Sequence, residues 1–317
     1  MNKIDKKIKP KLSIVILTYN RYYLLNRLLE SIINLKFKPK EIIVVDNCSE
    51  DETREEITKY FPEIQYIRTS RNIGTAARNI GIKKSSGEYI VTMDDDLFGL
   101  TDEKIKNLVE IFERDSRIGA INFKVLDTQK EICNWVHHCQ VEDFHDKSFL
   151  TYEITEGAVA FRKEIFDKAG YYPEYFFISH EGPDLALRIL ENNYLVIYTP
   201  EISLVHHIAG EGRKSWRNYY YDTRNQFWLA VRNYSLIYMM NYLFRGQTTM
   251  FIYSLRDGFI FFWFKGFYDG IKHLNKVFKE RRPLSKKTMN IVKEIDRVRP
   301  GILYYFQKRI LRKGIKI

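Results

Sequence analysis

Short apolar runs alternate with amphipathic segments over roughly the first 125 residues. Runs rich in β-branched residues are predicted as strands at 12–18, 41–46, 64–69, 88–94 and 118–125. Segments with apolar residues three or four apart, or with capping residues at their start, are predicted as helices at 22–35, 49–61, 73–85 and 102–114. This alternation predicts an α/β fold, in which a Rossmann-like, mostly parallel sheet carries helices on both faces.

Ligands of such a sheet bind beyond the carboxyl ends of its strands. The residues that follow the predicted strands are 18–21, 46–49 and 94–96, and they lack the glycine-rich loops of dinucleotide-binding and P-loop proteins. Three adjacent aspartates, Asp94, Asp95 and Asp96, repel one another there. A divalent cation that bridges them to a diphosphate would offset this repulsion, and a solvated acidic turn or helix N-cap is the alternative.

Five segments together resemble family-2 glycosyltransferases of the GT-A fold, which depend on nucleotide sugars and are mostly inverting. They are SIVILTYNR (13–21), VVDNCSEDET (44–53), RNIGTAARNIGI (71–82), GEYIVTMDDDL (87–97) and the block 155–207. The last block is similar to the acceptor half of the branch that contains rhamnosyl- and related sugar transferases. The resemblance implies a GT-A domain over 1–235, with a nucleotide-sugar half at about 11–125 and an acceptor half at about 126–235. A basic, aromatic, helical region would follow at 236–317.

The resemblance also implies a donor site. The nucleotide-sugar-binding residues would be Thr18, Tyr19, Asp46, Arg78, Asp94 and Asp95. Asp46 would accept a hydrogen bond from the base, usually uracil or thymine, so a UDP- or dTDP-sugar is favoured. Asp96 would bind Mg²⁺ or Mn²⁺, with His207 or its neighbour His206 completing the metal site. The alternatives are a surface ion pair for Arg78 and a structural role for the histidines.

Inverting transfer needs a base that takes the proton of the acceptor hydroxyl. Many relatives carry E-D-x-D-L at the corresponding place, whereas this chain reads HEGPDLALR (180–188), with glycine at the second acid. Glu181 is therefore the predicted catalytic base, and a helix N-terminal acid is the alternative. Asp184 either pairs with Arg188, four residues later, or contacts the acceptor.

Three further side chains are candidates for contacts with the acceptor or the diphosphate. Trp135 could stack on a sugar ring or lie in the core, and Arg213 and Arg217 belong to a basic loop near the diphosphate. Trp135 lies within CNWVHHC (133–139), whose spacing is not a usual zinc pattern. The three cysteines of the chain cannot all pair, which favours a reducing compartment.

Charge and hydropathy set the C-terminal third apart. Residues 1–210 carry 28 Lys and Arg against 33 Asp and Glu, whereas residues 211–317 carry 23 against 7. This basic third is rich in aromatic and apolar residues, which is typical of a membrane-surface helix rather than a nucleic-acid-binding arm. Its longest uncharged run has 12 residues, and a span needs about 20. The alternative is a helical cap on the first domain, with a solvated basic face.

The sequence therefore predicts a metal-dependent, inverting glycosyltransferase of surface-polysaccharide synthesis. It would move a sugar from a nucleoside diphosphate to a glycan or lipid-linked glycan, in the cytoplasm or at the inner face of the cell membrane. A nucleotidyltransferase acting on sugar phosphates would need a Gly- and Lys-rich loop after the first strand, where the chain reads TYNRYYLL. A non-catalytic carbohydrate- or lipid-binding module would need neither the three aspartates nor Glu181.

Overall fold

A computed structural model describes residues 11–133, 144–207 and 216–298. The described residues form a nine-stranded sheet in the order β3-β2-β1-β4-β8-β6-β9-β5, with β7 paired to β9. The strands are β1 (Leu12–Thr18), β2 (Glu41–Asp46), β3 (Gln65–Arg68), β4 (Tyr89–Asp94), β5 (Leu97–Phe98), β6 (Ile118–Leu126), β7 (Phe149–Leu150), β8 (Ala158–Arg162) and β9 (Leu195–His206).

Helices are interspersed with the strands along the chain as far as β9, and only helices follow β9 in the described residues. They are α1 (Tyr22–Ile33), α2 (Thr53–Tyr60), α3 (Arg78–Lys84), α4 (Asp102–Arg114), α5 (Ile165–Ala169), α6 (Glu181–Glu191), α7 (Trp216–Asn233), α8 (Leu236–Arg256), α9 (Ile260–Lys272), α10 (Leu274–Lys279) and α11 (Lys286–Arg297). The predicted helix at 73–85 begins instead with a 3₁₀ turn, Gly74–Ala77. The fold-class prediction is confirmed, including the helical C-terminal region as far as the description extends.

Strands β1 to β4 are parallel, and their register places the acidic residues together. Thr18 pairs with Asp46 across β1 and β2, and Leu17 pairs with Asp94 across β1 and β4. The carboxyl ends of these strands therefore lie at one edge of the sheet, called the rim below. Beyond β4 the sheet becomes mixed, because β8 runs antiparallel to both β4 and β6.

Two apolar cores cover the two faces of the sheet, because successive side chains of a strand point to opposite faces. Ile14 and Ile16 of β1 pack with α1 and α4, whereas Val15 belongs to the core on the other face with α3, α6 and α7. Each face is sealed by helices, which explains why the central strands read as continuous apolar runs.

Helices α8, α9 and α10 pack against α7, which in turn packs on α6. Gly266 and Gly270 of α9 allow a close approach, since a Cβ atom at Gly266 would lie 2.5 Å from the carbonyl oxygen of Tyr220. Trp228 of α7 donates a hydrogen bond to the Gly270 carbonyl at 3.1 Å. No helix within the described ranges has the length and hydropathy to cross a bilayer.

Candidate active site

The rim brings Thr18 together with the acidic turn between β4 and β5. Thr18 Oγ1 donates a hydrogen bond to Asp95 Oδ2 at 2.7 Å. Arg21 Nη1 bridges two carboxylates, at 3.0 Å from Asp95 Oδ1 and 2.6 Å from Asp96 Oδ2. Sequence reasoning did not assign Arg21 a role, although it ends the quoted segment TYNR. Its cation offsets the repulsion that was predicted for this turn.

His206 is the histidine whose ring faces Asp96. Its Nε2 lies 3.3 Å from Asp96 Oδ2, because β5 and β9 pair Leu97 with His206. Burial by itself lowers the pKa of His206, but the side chains of Asp96 and Cys133 raise it to about 9. His207 contacts the same turn through its backbone, whose N–H donates to the Asp96 carbonyl at 2.8 Å, and its ring packs on Phe98.

The residues at Asp96 suit a hard divalent cation in their chemistry. Asp96 is buried, and its Oδ1 has no hydrogen-bond partner among the described residues. Carboxylate oxygens are the ligands that Mg²⁺ and Mn²⁺ prefer. However, no three His, Cys, Asp or Glu side chains of the described ranges converge as a preformed metal cluster. An incoming cation would compete with Arg21, whose side chain is 36% exposed and has room to move.

A buried arginine lies behind the rim, next to Asp94. Arg78 begins α3, is only 2% exposed, and forms an ion pair with Asp94 through Nη2. Burial disfavours its charged form, but the charges of Asp94, Glu156 and Glu181 raise the pKa of the guanidinium. Its Nε and Nη1 have no hydrogen-bond partner in the described part of the chain. Arg78 is therefore an interior cation rather than part of a surface ion pair.

Two glutamates lie close to Arg78. Glu181, at the start of α6, is 2% exposed, and its Oε1 accepts a hydrogen bond from Thr75 Oγ1 at 2.5 Å. Glu156 precedes β8 and is half-buried. Burial raises the pKa of both carboxyls, and the charge of Glu181 raises that of Glu156 further. Sequence reasoning did not single out Glu156, because no spacing links position 156 to position 181.

The loop before α6 has an unusual backbone conformation. Phe177, Ser179 and His180 have positive φ values of 68°, 77° and 66°, a region that side chains with a Cβ atom seldom adopt. Asn225 of α7 holds this loop, since its Nδ2 donates to the carbonyls of Phe176, Ile178 and Ser179 at 3.0, 2.8 and 2.7 Å. The position of Glu181 therefore depends on α7.

Asp46 and Tyr19 lie at the rim in different environments. Asp46 is fully buried, and its carboxylate accepts hydrogen bonds from the Tyr66 hydroxyl and, at 2.8 Å, from the Ser49 backbone N–H. Tyr19 is 43% exposed, so its ring is accessible to a ligand. A contact between Asp46 and a nucleotide base stays a prediction. A base that reached Asp46 would bind a carboxylate that already accepts hydrogen bonds from Tyr66 and Ser49.

Asp184 lies in the core between α6 and α7. It accepts from Arg188 at 2.9 Å, from Arg232 at 2.8 Å and from Asn233 at 2.7 Å, and it is fully buried. This geometry favours the structural role over an acceptor contact.

The remaining candidates for acceptor or diphosphate contacts lie at or beyond the edges of the description. Arg217 is exposed in the first turn of α7, over the ring of Trp216. Trp135 and Arg213 fall outside the described residues.

Comparisons with known proteins support the predicted family and fold. A family model described as "Glycosyl transferase family 2" matches residues 13–170. The chain is 29% identical over 250 residues to the dTDP-rhamnosyl transferase RfbF of Shigella flexneri, an alignment that covers 69% of this chain and 80% of that protein. Three uncharacterized glycosyltransferases that also match are covered over only 62%, 37% and 15% of their lengths.

Two solved structures show the same fold at low sequence identity. Residues 1–349 of S. aureus TarS in complex with UDP-GlcNAc align with a TM-score of 0.59 and 18% identity, covering 95% of this chain and 93% of that one. The mannosyltransferase PcManGT of Pyrobaculum calidifontis, in complex with GDP-Man and Mn²⁺, aligns with a TM-score of 0.57 and 17% identity, covering 91% and 80%.

Proposed function

The chain belongs to glycosyl transferase family 2, and from that premise we propose that it is a metal-dependent, inverting glycosyltransferase. It would transfer a sugar from a nucleoside diphosphate to a glycan or lipid-linked glycan in surface-polysaccharide synthesis. The observation that carries the proposal is the grouping of Thr18, Asp95 and Asp96 at the ends of β1 and β4. This group lies at the edge of the sheet where α/β folds bind their ligands.

Donor binding would use both the rim and the buried arginine. Tyr19 and Asp46 would meet the base, while Arg78 and Asp94 would face the ribose, sugar or diphosphate. The similarity to a dTDP-rhamnosyl transferase supports a dTDP-sugar, and the complex of TarS with UDP-GlcNAc supports a UDP-sugar. Uracil and thymine each carry an imide N–H, from which a carboxylate accepts a hydrogen bond.

A divalent cation would be held by Asp96, with His206 or His207 beside it. When bound, it would offset the negative charge that grows on the leaving diphosphate. The complex of PcManGT with Mn²⁺ supports this assignment. Arg21 is the protein's own cation at the same carboxylates and would reposition towards the diphosphate.

The transfer itself needs a carboxylate that accepts a proton. The acceptor oxygen would attack the anomeric carbon, a new carbon–oxygen bond would form, and the bond to the diphosphate would break with its electron pair. Glu181, the predicted base, and the half-buried Glu156 form a pair that would receive the acceptor's proton. Their raised pKa values make the deprotonated pair a stronger base than an exposed glutamate.

Donor binding and turnover test the proposed function directly. We expect UDP- or dTDP-sugars to bind in calorimetry and to release the nucleoside diphosphate, and we expect EDTA to suppress that release. GDP-sugars serve as the matched control for base selectivity. Binding without any turnover would indicate a carbohydrate-binding module, and failure of every donor to bind would contradict the proposal.

The C-terminal helices carry an exposed apolar face that would rest on an anionic membrane. Phe261, Phe264, Tyr268 and Ile271 recur at helical spacing along α9, and each is 47–69% exposed. Exposed Lys265 and Lys272 belong to the same helix, in a C-terminal third with a large excess of basic residues. Apolar insertion together with attraction to anionic lipid is the usual basis of peripheral binding.

Vesicle sedimentation would measure this attachment. The double variant Phe261→Ser/Phe264→Ser should bind phosphatidylglycerol vesicles about tenfold more weakly than the wild type, because it loses two inserted aromatic rings. Tyr23→Ser, which removes an exposed aromatic residue from α1, is the control and should bind normally. Wild-type binding that is insensitive to both lipid charge and salt would argue against the membrane surface.

A further inference from the structure

A cavity of about 690 Å³ lies between the acceptor half and the C-terminal helices. Glu156 and His180 line it from the loops before β8 and α6, Asp222 and Gln226 from α7, and Arg245 from α8. Its volume falls within the range of pockets that hold small ligands, roughly 300–1,000 Å³. The cavity therefore has room for one or two sugar rings beside the glutamate pair.

The surroundings of Gly182 explain why this chain has no acidic residue at the second position of the E-D-x-D-L pattern. A Cβ atom at position 182 would lie 2.2 Å from Glu156 Oε1 and 2.3 Å from the carbonyl oxygen of Ile154. Both distances are too short for any side chain, so residues 154–156 fill the space in which a side chain at position 182 would begin. The carboxylate that occupies this space is that of Glu156.

The two glutamates differ in their access to the cavity. Glu181 is buried, bound by Thr75 and absent from the described residues that line the cavity. Glu156 is half-buried and forms part of the cavity wall. A general base must come within hydrogen-bond distance of the proton that it removes. Glu156 meets this requirement for a hydroxyl bound in the cavity, and Glu181 does not.

We propose that Glu156 is the catalytic base and that this cavity binds the acceptor, an assignment that rests on the proposed function. The acceptor O–H loses its proton to the Glu156 carboxylate as its oxygen forms the bond to the anomeric carbon. The bond from that carbon to the diphosphate breaks, and its electron pair leaves with the diphosphate. Glu181 becomes a positioning residue, which acts on the reaction through Glu156.

The charges around Glu156 fix how its protonation should change in variants. Glu156 faces Glu181, Asp94 and Arg78, and burial together with the Glu181 charge raises its pKa. The other charged or titratable residues that line the cavity are Glu153, His180, Asp222, Arg245, Lys293, Asp296 and Arg297, together with the tyrosines Tyr152, Tyr238, Tyr242 and Tyr253. Removal of the Glu181 charge should therefore lower the pKa of Glu156 and extend activity to lower pH.

The cavity wall suits a glycan acceptor. Tyr152, Tyr238, Tyr242 and Tyr253 contribute to it, and aromatic rings pack well on the apolar faces of sugars. Arg245 and Lys293 add cations that would meet a phosphate of a lipid-linked glycan.

Hydrolysis of UDP-GlcNAc or dTDP-rhamnose, with water in place of the acceptor hydroxyl, tests the assignment. Glu156→Gln should lower the rate by about 10²–10⁴-fold and leave donor affinity unchanged. Glu181→Gln, at the positioning residue, should lower the rate by less than Glu156→Gln does and should shift the acid limb of the pH–rate profile to lower pH. Formate should restore part of the activity of Glu156→Ala, because the cavity admits a small carboxylate. Thermal unfolding of each variant identifies any loss of fold.

The opposite pattern would overturn the assignment: an active Glu156→Gln together with an inactive Glu181→Gln that still binds donor. Failure of the proposed function looks different, since the wild type itself would then neither bind nor hydrolyse any donor. If the wild type and Glu156→Gln hydrolysed the donor at the same rate, the proposed function would stand and Glu156 would have no part in it.

Discussion

Replacement of Asp96 by alanine is expected to lower sugar transfer by roughly 10³-fold, which corresponds to about 4 kcal/mol of transition-state stabilisation. Asp96 is the carboxylate on which Arg21 and His206 converge, and its Oδ1 is free of hydrogen bonds among the described residues. Loss of this carboxylate removes the proposed cation ligand. Steady-state kinetics with varied Mn²⁺, together with Mn²⁺ calorimetry, would measure both losses.

Asp167→Ala is the matched control for this variant. Asp167 is an exposed aspartate on α5, and most surface substitutions change stability by less than about 0.5 kcal/mol. It should bind Mn²⁺ and turn over like the wild type. If Asp96→Ala kept normal turnover and the same dependence on Mn²⁺, Asp96 would have no part in metal binding.

Replacement of Arg78 by methionine should lower the free energy of unfolding by about 3–5 kcal/mol near neutral pH. Arg78 is the buried cation of a group that includes Asp94, Glu156 and Glu181. Methionine has similar length but leaves these carboxylates without a compensating charge. Donor turnover should fall as well, because Asp94 loses the partner that orients it.

The pH dependence of the Arg78→Met variant has a definite sign. Without the cation, the folded-state pKa values of Glu156 and Glu181 rise further above their unfolded values. When the pKa of an acidic group is raised in the folded state, the folded protein binds more protons than the unfolded chain. The free energy of unfolding therefore falls as pH rises. The loss relative to wild type should therefore be larger near pH 8 than near pH 5.5, as urea titrations would show.

Arg114→Met is the control for charge removal alone. Arg114 is exposed, and within the described ranges its ion pair is with Glu110 along α4, so its loss should cost less than about 1 kcal/mol at either pH. An Arg78→Met variant as stable as this control would show that the buried carboxylates are protonated and need no cation.

The alternation of apolar strands and amphipathic helices was sufficient to predict the parallel core and its rim. β1, β2 and β4 are apolar at most central positions, with Thr92 of β4 as an exception, because both faces of the sheet are covered; such runs can be recognised without an alignment. The acidic turn was also predictable, since Asp94 to Asp96 directly follow a strand. The start of α3 was harder to predict. A 3₁₀ turn forms there, and its Gly74 contacts the Phe177 carbonyl, 103 positions away along the chain.

The sequence by itself determined the family, the order of the strands and helices over about residues 12–125, and the edge of the sheet at which the acidic residues lie. These depend on local periodicity and on residues that are neighbours in the chain. Only the tertiary structure decided which carboxylate faces the cavity and which cation stands beside each aspartate. Glu156 reaches the space next to Gly182 because residues 154–156 lie against the start of α6, and that contact between distant segments leaves no trace in the spacing of residues.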